Sequence, residues 1–155
     1  MKQLDRVDRR ILAILQEDAS LAVAEVASRV GLSQTPCWRR IQRLRADGVI
    51  EATVALVKPE AVGCGLTVFI QVEAWDHSPE WLERFTSAVV DRPEVLDVHR
   101  MAGDVDYLLR VAVPDMTAFD TFYRELIAAV PLKNVSSHFA MERVKSTTAY
   151  PIAKD

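Results

Sequence analysis

The 155-residue chain has only two cysteines, Cys37 and Cys64, and their spacing fits no metal or redox pattern. Both are read as reduced thiols, with Cys37 a small core residue, which suits the cytosol. No apolar run approaches membrane-spanning length, so no membrane partner is expected. The opening residues Met1-Lys2-Gln3-Leu4-Asp5 carry no secretory apolar core, and the expected location is cytoplasmic. His77, His99 and His138 show no metal-ligand spacing, so neither a metal, a resident cofactor nor a catalytic residue is assigned. There is no excess of positive charge either. The net charge of −3 argues, at first sight, against a nucleic-acid partner.

That average hides an asymmetry. Residues 1–60 carry ten Lys/Arg against eight Asp/Glu, whereas residues 61–155 carry nine against fourteen. Within the first part, Ser33 to Arg45 holds four arginines and no acid. Wound at 3.6 residues per turn, Cys37, Ile41 and Leu44 fall on one face, with Thr35, Arg39, Gln42 and Arg43 opposite and Trp38 at the edge. A guanidinium can fork onto a guanine edge or onto a phosphate.

Two shorter elements precede it. Leu4, Val7, Ile11, Ile14 and Leu15 trace an apolar stripe with acids in the first turn, a first amphipathic helix. After a break at Asp18-Ala19-Ser20, a second helix over Val23–Val30 turns Val26, Ala27 and Val30 inward. Gly31 supplies the turn, and Ser33 is a good N-cap. Pro36 fits either the first turn of a helix capped by Ser33 or the first helical position behind Thr35. Gly48 ends the third helix. Three such helices predict a helix-turn-helix whose third helix enters the major groove of double-stranded DNA. Thr35, Trp38, Arg39, Gln42 and Arg43 are expected at bases or groove walls, and Ser33 and Gln34 at the backbone. Trp38 has an alternative as a lid over the helical core. The modest charge implies that several copies act together.

Val49–Val57 looks extended, as a connector, a small wing or a strand exchanged with a partner. Gly63-Cys64-Gly65 marks a second boundary. The expected domains are therefore 1–50, a linker over 51–65, and 66–155. In the last, Leu66, Val68, Ile70, Val72 and Ala74 alternate along a strand, and Trp81, Leu82, Phe85 and Val89 stripe a helix. Strands follow over Val95–Met101 and Tyr107–Val113. A second helix turns Met116, Phe119, Phe122, Leu126 and Val130 inward, and a final strand runs from Val135 towards Tyr150. The order βαββαβ is that of ferredoxin-like domains, so the fold class is α+β, a (winged) helix-turn-helix followed by a ferredoxin-like domain. Its helices cover one face of the sheet. Phe69, Met101 and Phe139, read as lying on other faces of their strands, suggest that the sheet surface meets another chain.

Together these features resemble the Lrp/AsnC (feast/famine) transcription regulators over essentially the whole chain. The matching stretches are Leu4-Asp5-Arg6-Val7-Asp8-Arg9, Arg29-Val30-Gly31-Leu32-Ser33-Gln34-Thr35-Pro36-Cys37, Gly48-Val49-Ile50, Gly103-Asp104-Val105-Asp106-Tyr107 and Pro114-Asp115-Met116. The resemblance implies a homodimer, assembling further to forms such as octamers, that binds DNA, associates with the nucleoid and responds to amino acids. It places an amino-acid effector between dimers at Met101, Ala102, Gly103, Asp104, Val105, Asp106 and Tyr107, with Ser137 on the last strand. Asp104 would pair with the α-ammonium, and Gly103 would let the backbone approach. Thr35-Pro36-Cys37-Trp38, His77-Ser78-Pro79-Glu80-Trp81, Arg100-Met101-Ala102-Gly103 and Phe139-Ala140-Met141-Glu142 look most like a cysteine-responsive branch. Two rival readings stand beside this one. One is an architectural protein wrapping DNA with little specificity. The other is a small-molecule enzyme using His99, Asp104 and Asp106.

Overall fold

Asp5 starts the first helix by accepting the backbone N–H of Asp8 at 2.8 Å while the Asp8 carboxylate takes the N–H of Asp5 in return, a reciprocal cap. The computed structural model describes residues 4–152. From this cap run α1 (Arg6–Glu17), α2 (Val23–Val30) and α3 (Gln34–Ala46). Gly31, at φ 75°, ends α2 in the left-handed region and turns the chain into α3. Ile11, Leu12, Val26, Ala27, Val30, Cys37, Ile41 and Leu44 form the buried core, as the helical periodicity required. Ser33 occupies the cap position of α3, so Pro36 lies in its first turn; the Ser33 side chain itself makes no capping bond.

The chain divides into two compact units, residues 4–55 with 145–152 and residues 56–144. The return of the carboxyl-terminal stretch to the first unit departs from the expected third segment of 66–155. Its reason is local chemistry. The Gln16 side chain donates to the Tyr150 carbonyl and accepts the Tyr150 N–H at 2.8 Å, and Ile152 packs on the helical core. No wing forms: residues 51–58 pair with no strand among the described residues, and Val54, Leu56 and Val57 are exposed.

In the second unit a 3₁₀ turn (Pro59–Val62) precedes β1 (Leu66–Ala74), α4 (Pro79–Val89), β2 (Val95–Arg100), β3 (Tyr107–Val113), α5 (Met116–Ala129) and β4 (Leu132–Phe139). The sheet order β2-β3-β1-β4 is antiparallel throughout, the ferredoxin-like arrangement. Val68, Ile70 and Val72 face the helices along with Leu109 and Val111 and pack on Phe85, Val89, Phe122 and Leu126. Trp81 stacks on Phe85 and donates its indole N–H to the Pro131 carbonyl at 2.8 Å. Met116, read as inward, is exposed, and so is Leu82 of the α4 stripe.

Register corrects two further expectations. β4 begins at Leu132 and stops at Phe139 instead of running from Val135 towards Tyr150. Phe139 lies opposite Val68 and Ser137 opposite Ile70, so both side chains share the helix-covered face. The Phe139 ring meets Phe119 edge-on at 5.1 Å. Phe69, by contrast, lies opposite Arg110 and His138 on the other face and is part-exposed.

Candidate DNA interface and effector loop

On α3, burial of Cys37, Ile41 and Leu44 fixes the helix rotation and leaves the opposite face outward. Ser33, Gln34, Thr35, Trp38, Arg39 and Arg43 are exposed there, and Gln42 is partly buried. Trp38 is half exposed and is not one of the buried core residues. Burial pushes the Cys37 thiol up, which keeps it protonated and unreactive.

The four arginines are not equivalent. Asp8 is buried at 1% exposure, yet both of its oxygens are satisfied. Arg40 donates to Oδ1 at 2.8 Å and to the Asp5 carboxylate at 2.5 Å, and Arg43 donates to Oδ2 at 2.5 Å. The Arg40 guanidinium, with Asp8 N–H helping, holds the Asp5 carboxyl below the usual carboxylate range. These ion pairs join the first turn of α1 to the middle of α3. Periodicity alone assigned Arg43 to a free surface; a carboxylate thirty-five positions earlier, on α1, gave no sign that it would reach across. Arg39 makes no ion pair with a described residue.

The loop between β2 and β3 is built mainly by its backbone. Met101 N–H donates to the Asp106 carbonyl at 2.8 Å, and Asp106 N–H to the Val72 carbonyl at 3.1 Å. Gly103 sits at φ 130°, a conformation that a side chain would strain, with open space where a Cβ would point. Beside the turn is an open depression of about 270 Å³ lined by Gln71, Met101, Ala102, Asp104, Val105 and Leu108. Four of the eight expected effector residues thus line it: Met101, Ala102, Asp104 and Val105. The Asp104 carboxylate is exposed and takes no hydrogen bond from a described residue.

The other four are placed differently. Gly103 shapes the turn. Asp106 turns inward, its Oδ2 accepting the Ala74 N–H at 2.8 Å where β1 bulges against β4, with His77 Nε2 3.8 Å from its Oδ1. Tyr107 is core, its ring 4.5 Å from that of Phe85. Ser137 faces the helices, its hydroxyl buried without a hydrogen-bond partner among the described residues. Gln71 and Leu108 were missed. They lie opposite each other on the uncovered face, and Ser136 flanks Gln71 on the other side. Strand alternation put Gln71 on that face, but only the register brings it beside the loop.

A helix-turn-helix with an outward arginine face, joined to a ferredoxin-like unit with a ligand-sized depression, defines a class of two-part transcription regulators. The chain belongs to the Lrp/AsnC family. Residues 4–45 match the AsnC-type helix-turn-helix domain, and residues 67–150 match the Lrp/AsnC ligand binding domain. It is 49% identical to the DNA-binding transcriptional activator DecR of Escherichia coli K12 over 150 residues, 96% of this chain and 99% of that one. The glutamate uptake regulatory protein of Zymomonas mobilis is 42% identical, over 98% of this chain and 93% of its own. Among solved structures, an AsnC family transcriptional regulator from Agrobacterium tumefaciens is 55% identical with a TM-score of 0.91, covering 96% of this chain and 97% of that one. A Neisseria meningitidis transcriptional regulator in complex with L-Met is 36% identical with the same TM-score and the same coverage.

Proposed function

We propose that the chain is a sequence-specific DNA-binding regulator whose second unit senses a small amino acid. The observation that carries the first half is the α3 face. Ser33, Gln34, Thr35, Trp38 and Arg39 stand outward on a helix pinned from behind by its own core. Docked by its N-terminal half, α3 would set Ser33 and Gln34 at phosphates and Thr35, Trp38, Arg39, Gln42 and Arg43 at bases or groove walls. A homodimer would read two half-sites about 34 Å apart, one helical turn of DNA. The uncovered sheet face, with part-exposed Phe69, suits a second copy, and dimers would associate further into assemblies such as an octamer. The location that fits is the cytoplasm, on the nucleoid.

The effector would lie against the β2–β3 loop, its ammonium on Asp104 and its side chain towards Met101, Val105 and Leu108. These linings favour a small, uncharged side chain. Cysteine is our first candidate, because the stretches around Trp38, His77 and Met101 resemble a cysteine-responsive branch. Effector binding would shift assembly by preferring one of its states, without adding DNA contacts.

A thermal-shift screen of the twenty amino acids, followed by a gel shift with and without the hit, tests this reading. Asp104→Ala should retain DNA binding and lose the effector response. A variant that responds as wild type does would remove Asp104 from the site. Strong, sequence-independent coverage of DNA would favour the architectural rival. Two of the four α3 arginines are already engaged by carboxylates, which weakens that rival. We assign no catalysis. Of the enzyme trio His99, Asp104 and Asp106, the last is committed to the Ala74 amide.

A further inference from the structure

Arg43 faces two ways. One of its terminal nitrogens is bonded to the buried Asp8 carboxylate, yet its side chain is 50% exposed, against 29% for Arg40. A guanidinium has five N–H donors in a rigid plane, so fixing one nitrogen fixes the direction of the rest. Asp8 cannot swing away to release it. It is buried, capped to Asp5 and held on its other oxygen by Arg40. A free arginine loses rotamer entropy when a partner orders it. In Arg43 part of that ordering has already happened on folding. Arg39 stands one turn earlier on α3 and makes no ion pair with a described residue.

We infer that Asp8 is a positioning residue for DNA reading: it aims the Arg43 guanidinium so that its free edge presents a planar fork to one base pair. Arg40 is the clamp that immobilises Asp8, and Arg39 supplies untethered charge for the DNA backbone. The inference rests on the DNA-binding reading of α3. It adds a specificity role for a buried acid on a different helix, which itself touches no DNA.

The test uses the full chain and duplexes selected by the wild-type protein from a random-sequence pool, with scrambled duplexes as controls. Asp8→Asn and Arg43→Lys should each lower the preference for selected over scrambled duplex by about tenfold. The loss should fall at the same base pair for both variants and exceed any loss of binding to scrambled DNA. The double variant should be no worse than Arg43→Lys alone, because the two residues act as one unit. A merely structural Asp8 would lower the melting temperature and leave the base preference intact, which overturns the inference; so do losses that multiply in the double variant. Should Asp8→Asn fail to fold, Asp8→Glu keeps the charge while moving the carboxylate by one methylene. It must then lose preference at the Arg43-dependent base pair, and full preference in it overturns the inference. Failure of the underlying reading looks different: wild type then binds selected and scrambled duplexes equally, and the inference falls with it.

Discussion

The two candidate sites are built by opposite means. On α3 the charged groups are held by other charged side chains, and the acid at their centre, Asp8, is buried. At the β2–β3 loop the backbone does the holding, through Gly103 and the amide bonds of Met101 and Asp106, and the Asp104 carboxylate, which takes no hydrogen bond from a described residue, stands in solvent. In the first candidate site one residue, Arg43, belongs both to the outward face and to the ion pairs that hold the helices together. In the second the exposed carboxylate of Asp104 takes no part in holding the loop, so a change there bears less on the fold than a change at Arg40 or Arg43.

That contrast can be broken most directly by removing one acid from each site. Asp8→Ala leaves Arg40 and Arg43 without their shared partner and should cost the first unit about 3 kcal/mol, read as a lowered denaturant midpoint. Asp104→Ala should move stability by no more than about 0.5 kcal/mol. Equal losses would erase the distinction. A smaller effect separates the arginines. Arg39→Ala should leave the unfolding midpoint in place and weaken binding by about 1 kcal/mol on every duplex, with the salt slope reduced by about one. If it instead destabilised the fold, Arg39 would belong to the clamp.

The smallest expected effect is a pH dependence. The Asp5 carboxyl is held low chiefly by Arg40, so its folded form binds a proton less readily than the unfolded chain does. Its contribution is present in full above the ordinary aspartate value of about 4 and is lost as pH falls through the depressed one. Asp5→Asn should therefore flatten the stability profile below about pH 4, measured by acid titration of helicity, and leave it unchanged at neutral pH apart from a constant offset.

Much of this was legible in the sequence because helices and strands advertise their buried face. Cys37, Ile41 and Leu44 at helical spacing fixed the rotation of α3, and the alternation of Val68, Ile70 and Val72 fixed the covered face of β1. Relations between elements were less legible. Nothing local to Arg43 says that Asp8 will meet it across thirty-five positions. On β4 a shift of a single residue exchanges the two faces, so Phe139, read as outward, shares the helix-covered face with Ser137, while Ser136 and His138 hold the uncovered one. Asp106 and Tyr107 belong to the family stretch Gly103-Asp104-Val105-Asp106-Tyr107, but a stretch of sequence does not separate residues that face a ligand from those that anchor the loop. Polar groups at the end of β1 claim Asp106, and the aromatic core claims Tyr107.

The carboxyl-terminal stretch has a consequence for how the protein is handled as an object. Because Tyr150 is clasped by Gln16 and Ile152 seats on the helical core, the ferredoxin-like unit is spliced into the helix-turn-helix unit, and the polypeptide crosses between them twice. The amino-terminal fragment alone thus lacks part of the packing of its own core. A tag, fusion or protease cut at the far end of the chain bears on the DNA-reading end, although linear order places it at the greatest remove.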